Sequence, residues 1–172
     1  MPDICDLILD EHERFRRRFA ELDEQREAGG AVLSRLWEPL AATLDRHAAA
    51  EEAVFYPALL ERGTRAEDET DDAVGDHNKI RDAVRDSGHA ETGSAQWWEA
   101  VWAARRENSE HMGEEERGAL ADFRANTEPA LRDELGTRFT EFNTRHASGQ
   151  DVDTSDKDPQ RYIEENTPTD PT

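Results

Sequence analysis

Apolar residues in this chain recur at spacings of three and four over four long stretches, and almost nowhere at a spacing of two. Leu7, Ile8, Phe15, Phe19 and Leu22 predict a first helix over about 3–28, ended by Gly29-Gly30. Leu33, Leu36, Trp37, Leu40 and Leu44 predict a second over about 31–62, with a kink or an early last turn at Pro57 and a stop at Gly63-Thr64. Val74, Ile80 and Val84 carry a third over about 68–86, followed by a Gly-containing loop over 87–94. Trp98, Val101, Trp102, Leu120 and Phe123 carry a fourth over about 95–124. Thr127 is the expected N-cap of a shorter fifth helix, with Pro129 in its first turn and Leu131, Leu135, Phe139 and Phe142 on one face. Long helices with short connections imply an all-α fold: an up-down-up-down four-helix bundle, with the fifth helix outside it or across one end.

The chain has 172 residues, enough for one domain with a real core. Asp and Glu total 41 against 21 Lys and Arg, a net charge of −20. Nucleic acid and anionic membrane surfaces are bound through positive charge, so neither is expected as a partner. No apolar run is long enough to span a bilayer and no signal peptide is visible, so the expected compartment is cytoplasmic. The single cysteine, Cys5, excludes an intrachain disulfide and a thiolate-rich metal site. After His146 the composition turns to Asp, Thr and Pro. Residues 148–172 hold seven acids and two bases, and are expected to form a disordered acidic tail behind a helical domain over 1–147.

Four of the six histidines fall one to each long helix: His12, His47, His77 and His111. Two have a glutamate four residues on, Glu51 after His47 and Glu115 after His111. Four residues advance about 400° around a helix, so each pair shares a face one turn apart. In an antiparallel hairpin, residues equidistant from the turn lie at one level. His12 and His47 are centred on the Gly29-Gly30 turn, and the midpoints of His77 with His47 and with Glu51, residues 62 and 64, bracket the Gly63-Thr64 turn. His77 and His111 are centred on residue 94, at the end of their loop, a mismatch of roughly 4–5 Å that helix tilt can absorb. Four imidazoles and two carboxylates thus meet at nearly one level. A lone helical histidine is ordinarily a surface or hydrogen-bonded residue, but that reading needs four independent placements at one height. It also leaves two buried carboxylates without countercharge, at several kcal/mol each. Cations at the centre remove the difficulty. Imidazole and carboxylate without thiolate suit iron, zinc or manganese, and six protein ligands suit two metals joined by carboxylates and an oxide or hydroxide.

These residues resemble the hemerythrin family, specifically the bacterial HHE cation-binding domains. The pattern H…H-x-x-x-E…H…H-x-x-x-E is met by His12, His47/Glu51, His77 and His111/Glu115, and E-E-A-V-F-Y-P-A-L over 51–59 is similar to the family's wording there. The resemblance covers about residues 3–147. It implies two iron ions, oxo- or hydroxo-bridged, held by those six residues. It also implies a small diatomic or peroxide ligand (O₂, peroxide or NO), in sensing, scavenging or iron handling; peroxide turnover is one possible enzymatic role. Oxygen carriers of the family have a second histidine four residues after the third one, where this chain has Arg81, and an aspartate five residues after the fourth, where Glu115 stands at four. Reversible oxygen carriage is therefore not implied.

Two other classes compete. A ferritin-like diiron oxidase uses E-x-x-H on two helices, but the residues three before the histidines are Leu9, Leu44, Val74 and Asn108. A metal-free acidic interaction module predicts that the four histidines are individually dispensable; no protein partner is indicated by any motif. Of the flanking residues, Glu52, Glu114 and Glu116 are expected to be solvated and His89 to lie on the surface, while His146 belongs to the fifth helix, outside the bundle. Phe55 is expected to wall the site, and Tyr56 lies about 100° off that face. Trp37, Trp98 and Trp102 are expected to fill the core beyond the site. Gly113 and Gly118 weaken the fourth helix and give room for close packing or a small ligand.

Overall fold

The computed structural model describes residues 2–149 and 151–168, which are almost wholly helical, with no strand among them. The helices are α1 (Ile4–Glu24), α2 (Gly30–Ala50), α3 (Tyr56–Arg62), α4 (Ala66–Gly88), α5 (Ala95–Arg117), α6 (Ala119–Asn126), α7 (Pro129–Arg145) and α8 (Pro159–Asn166). Asp3 caps α1 by accepting from the Cys5 amide at 2.8 Å, and Ser94 caps α5 by accepting from the Trp97 amide at 3.2 Å. α1 packs on α2, α5 and α7; α4 packs on α5, on α2 and on α8.

The second expected helix is interrupted. Residues Glu51–Phe55 form one π-helical turn between α2 and α3, in which the Tyr56 amide reaches back five residues to the Glu51 carbonyl. Pro57 accounts for it: a proline has no amide to donate, and its ring crowds the carbonyl four residues back. Widening the preceding turn relieves that crowding. The fourth expected helix is also two helices. Gly118, with φ −104° and ψ −91°, ends α5 and starts α6. The expected cap at Thr127 is displaced by one residue, since Glu128 occupies the cap position of α7. The Thr127 hydroxyl instead donates back to the Phe123 carbonyl and closes α6.

The tail is the largest departure. Over 151–168 it is ordered, and it ends in α8, which lies against α3 and α4. Asp158 caps α8 and Pro159 begins it. Tyr162 and Ile163 are buried, so an acidic segment with few apolar residues docks through two adjacent ones. The expected disorder at 150 and 169–172 lies outside the described residues.

Buried side chains form two apolar clusters. One gathers Ile4, Ile8, Phe55, Leu59, Val74 and Phe123, among others; the other gathers Phe15, Trp37, Leu44, Ile80, Trp97 and Trp98. His12 falls between Ile8 and Phe15 along α1, and His77 between Val74 and Ile80 along α4, so the polar centre divides the core. Trp37 and Trp98 are buried as expected, and Trp102 packs at the cluster edge under the Arg26 guanidinium. Trp97 is the largest fully buried side chain, and the helical periodicity did not single it out.

Candidate metal centre

α1, α2, α4 and α5 each direct one imidazole into the interior, and His12, His47, His77 and His111 are all at most 2% exposed. Their Nε2 atoms face inward. His12, His47 and Glu51 form one triad of potential ligand atoms, and Glu51, His77 and His111 a second, each within 4.8 Å. Glu51 spans both: one oxygen is 3.0 Å from His47 Nε2, the other 3.2 Å from His77 Nε2 and 3.7 Å from His111 Nε2. Glu115 Oε2 is 3.2 Å from His12 Nε2. Its other oxygen accepts from the Tyr56 hydroxyl at 2.7 Å, and Glu115 lies outside both triads. The six residues singled out in the sequence are thus brought together, with Glu51 more central than Glu115.

These short distances are not hydrogen bonds. His12 Nε2, His47 Nε2, both Glu51 oxygens and Glu115 Oε2 are buried without a hydrogen-bond partner. Their lone pairs converge on shared points rather than along donor–acceptor lines. A buried carboxylate with neither oxygen satisfied is among the costliest arrangements a core can contain. A cation at those points satisfies nitrogen and oxygen together, so the donor set fits a metal.

The Nδ1 atoms face outward, three of them onto carboxylates. His12 Nδ1 is 2.9 Å from Glu116, His47 Nδ1 2.7 Å from Glu11, and His77 Nδ1 2.9 Å from Glu52. A carboxylate on Nδ1 fixes the tautomer that leaves Nε2 free to ligate and makes it a stronger donor. His111 is the exception, with Asp76 4.0 Å from its Nδ1. Burial opposes charge on His47, but Glu51 and Glu11 outweigh it and raise its proton affinity well above the ordinary value. A metal at Nε2 competes with that proton. Glu116 is held at about 2 by its bond from His12 and by the Arg16 guanidinium against partial burial. Burial pushes the Glu52 carboxyl up, but His77 and Arg81 outweigh it and leave it at about 2.

Two expectations about the flanking acids are corrected. Glu52 is buried rather than solvated because the π turn brings two successive glutamates inward, and Glu116 turns back onto His12 and Arg16. Glu114 is exposed, as expected. Glu11 was missed altogether. The signal that could have found these acids is an acidic residue immediately beside a ligand: Glu11 before His12, Glu52 after Glu51, Asp76 before His77 and Glu116 after Glu115. Arg81 is buried and donates from one nitrogen to both Glu52 oxygens, each at 2.9 Å. Its guanidinium thus sits behind His77, outside the ring of inward nitrogens.

Phe55 is fully buried beside Tyr56 and Phe123, and Phe15 packs edge-on to the His47 ring at 5.1 Å, so apolar rings flank the centre. His89 ends α4 and His146 ends α7, where it pairs with Asp151 at 3.0 Å; neither joins the centre. A cavity of about 270 Å³ reaches His111 and Glu115 from the surface between α4 and the α5–α6 break, lined also by Arg65, Glu69, Asp76 and Gly118. No helix among the described residues is long and apolar enough to cross a membrane.

No curated protein and no solved structure matches the chain. The family model of the hemerythrin HHE cation-binding domain does match, over residues 3–151, and so takes in the four histidines, the glutamates on their inner and outer sides, and seven helices. On that match and the converging donors at its centre, the chain belongs to the hemerythrin family of cation-binding domains.

Proposed function

We propose that this is a non-haem diiron protein that binds or reacts with a small oxidant, O₂, peroxide or NO. The observation that carries the reading is the pair of buried donor triads sharing Glu51, in which both Glu51 oxygens and the inward nitrogens of His12 and His47 have no hydrogen-bond partner, while His77 Nε2 and His111 Nε2 face each other at 3.3 Å. His12 and His47 would hold one iron and His77 and His111 the other, with Glu51 and Glu115 as the carboxylate ligands. An iron pair supplies electrons one or two at a time to a small ligand bound at it.

The chain's own residues prepare that site. Glu116, Glu11 and Glu52 keep the first three imidazoles in the tautomer with Nε2 available. The Tyr56 hydroxyl fixes one Glu115 oxygen, leaving the other to face His12. Phe15 and Phe55 limit water around the centre, and the cavity beside Gly118 offers a path from solvent to the His111–Glu115 edge. The helix pairings support an up-down-up-down arrangement of α1, α2, α4 and α5, with α7 as the fifth helix on α1 and α2.

The test is metal content by elemental analysis with the visible spectrum of the aerobically purified protein, beside His47→Ala and His111→Ala. Near two irons per chain with charge-transfer absorption, both lost in the variants, is the expected result. Little or no metal, with variants that fold as well as the parent, would overturn it and favour a metal-free acidic module.

A further inference from the structure

The family match ends at residue 151, yet the chain beyond it is tied to the centre. Asn78, next to His77, forms two bonds with the Lys157 backbone: its amide donates to the Lys157 carbonyl at 2.7 Å, and its oxygen accepts from the Lys157 amide at 3.0 Å. Arg85 pairs with Asp156 at 3.1 Å. From this anchor two side chains reach Glu52. Lys157 Nζ stands 2.9 Å from Glu52 Oε2, and the Tyr162 hydroxyl donates to the Glu52 backbone carbonyl.

The second bond answers a need created by the π turn. In an α-helix the Glu52 carbonyl would accept from the Tyr56 amide, but that amide bonds to Glu51. The π-helical partner would be residue 57, a proline with no N–H. The carbonyl is therefore left without a backbone partner beside a buried carboxylate, and Tyr162 supplies one. Burial of the Tyr162 ring alone would not require its hydroxyl to end there.

We infer that residues 153–167 form a strap that positions Glu52, and through it His77, and so sets the electronic asymmetry of the metal centre. The inference rests on the metal reading above. The outer partners differ in kind. Glu11 is held by the neutral Asn143 amide, Glu116 by the half-exposed Arg16, and Glu52 by two cations, Arg81 and Lys157. The two cations beside Glu52 weaken its carboxylate as an acceptor from His77 Nδ1–H, so His77 is the weaker donor to a metal. The His77–His111 half therefore favours the reduced ion, and Lys157 and Tyr162 are positioning residues for that bias.

The test uses the full chain with Lys157→Met and Tyr162→Phe, each retaining the bulk of its side chain, and Arg161→Met on the exposed side of α8 as the control. Iron content, midpoint potential and the ¹⁵N resonance of His77 Nδ1 in the metal-free chain are measured. The expected result is unchanged iron content, with Lys157→Met lowering the reduced-to-oxidised ratio at fixed potential about tenfold, or about 59 mV for one electron. Tyr162→Phe moves it in the same direction, His77 Nδ1 shifts in both variants, and Arg161→Met changes neither. Iron-loaded variants with the parent's potential and an unmoved His77 resonance would overturn the strap and leave the diiron reading standing. If the parent binds no iron, the diiron reading fails, and the resonance alone decides whether the strap positions His77.

Discussion

The Tyr56 hydroxyl and Glu115 Oε1 are 2.7 Å apart and both residues are buried, so a phenol rather than water fixes the carboxylate that faces His12 Nε2. Burial and the Glu115 charge raise the Tyr56 pKa well above its ordinary value, which keeps the hydroxyl a donor at any working pH. Tyr56→Phe preserves the ring and removes that donor. A hydrogen bond to a charged group contributes about 1.5–3 kcal/mol, so the unfolding free energy should fall by about that amount with helix content unchanged. Denaturant unfolding followed by circular dichroism checks it; a loss under about 0.5 kcal/mol would show that Glu115 does not depend on Tyr56.

Glu11 meets His47 Nδ1 at 2.7 Å and would act on a bound metal through that ring. Glu11→Ala should weaken metal affinity about 10- to 100-fold while leaving all six inner residues intact. Competition against a chelator of known affinity measures it, with the exposed Glu134→Ala as the control. Equal affinities in the two variants would show that the Nδ1 carboxylate does not tune His47.

Residues 12, 47, 77 and 111 were legible in the sequence as one level of a bundle because hairpin arithmetic depends only on turn positions, and Gly29-Gly30 and Gly63-Thr64 mark those plainly. The outer carboxylates were not. Helical spacing places Glu52 about 100° from Glu51 and hence toward solvent, and only the π turn before Pro57 brings both inward. The docked tail was hidden for another reason. Composition averaged over 148–172 conceals that Asp158-Pro159 begins a helix and that Tyr162 and Ile163 are adjacent on it, and one turn of paired apolar residues is enough when a waiting surface supplies Asn78 and the Glu52 carbonyl.

Gly118 combines the helix break with the mouth of the cavity that leads to His111. A Cβ built there overlaps the carboxylate of Glu69, which pairs with Arg65 at 3.0 Å across the same opening. Glu69 is a flexible side chain, so Gly118→Ala should fold by pushing it into the cavity and narrowing the path. Iron uptake by metal-free protein, followed by the growth of visible absorption after mixing with Fe(II) in air, should slow severalfold and reach the same final amplitude. An unchanged rate would place the route elsewhere.

Cys5 is fully buried in the apolar cluster at the foot of α1, beside Asp3 and Arg124. Burial, with the Asp3 charge, pushes its thiol from 9.0 up to about 12. Two results follow. The native thiol should not react with a disulfide reagent between pH 7 and 9, and should do so only as the chain unfolds. The stability consequence has a definite sign. Below pH 9.0 folded and unfolded chains both hold the proton, so the thiol's contribution is fully present. Between 9.0 and about 12 the unfolded chain releases its proton while the folded chain keeps it, so stability falls as pH rises. The loss should reach about 1.4 kcal/mol by about pH 10, one unit above the unfolded value. Other groups titrate in that range, so the measured quantity is the difference between the parent and Cys5→Ala at neutral pH and near pH 10. That difference should shift in favour of Cys5→Ala as pH rises; a difference independent of pH would mean that the thiol ionises as easily in the fold as outside it.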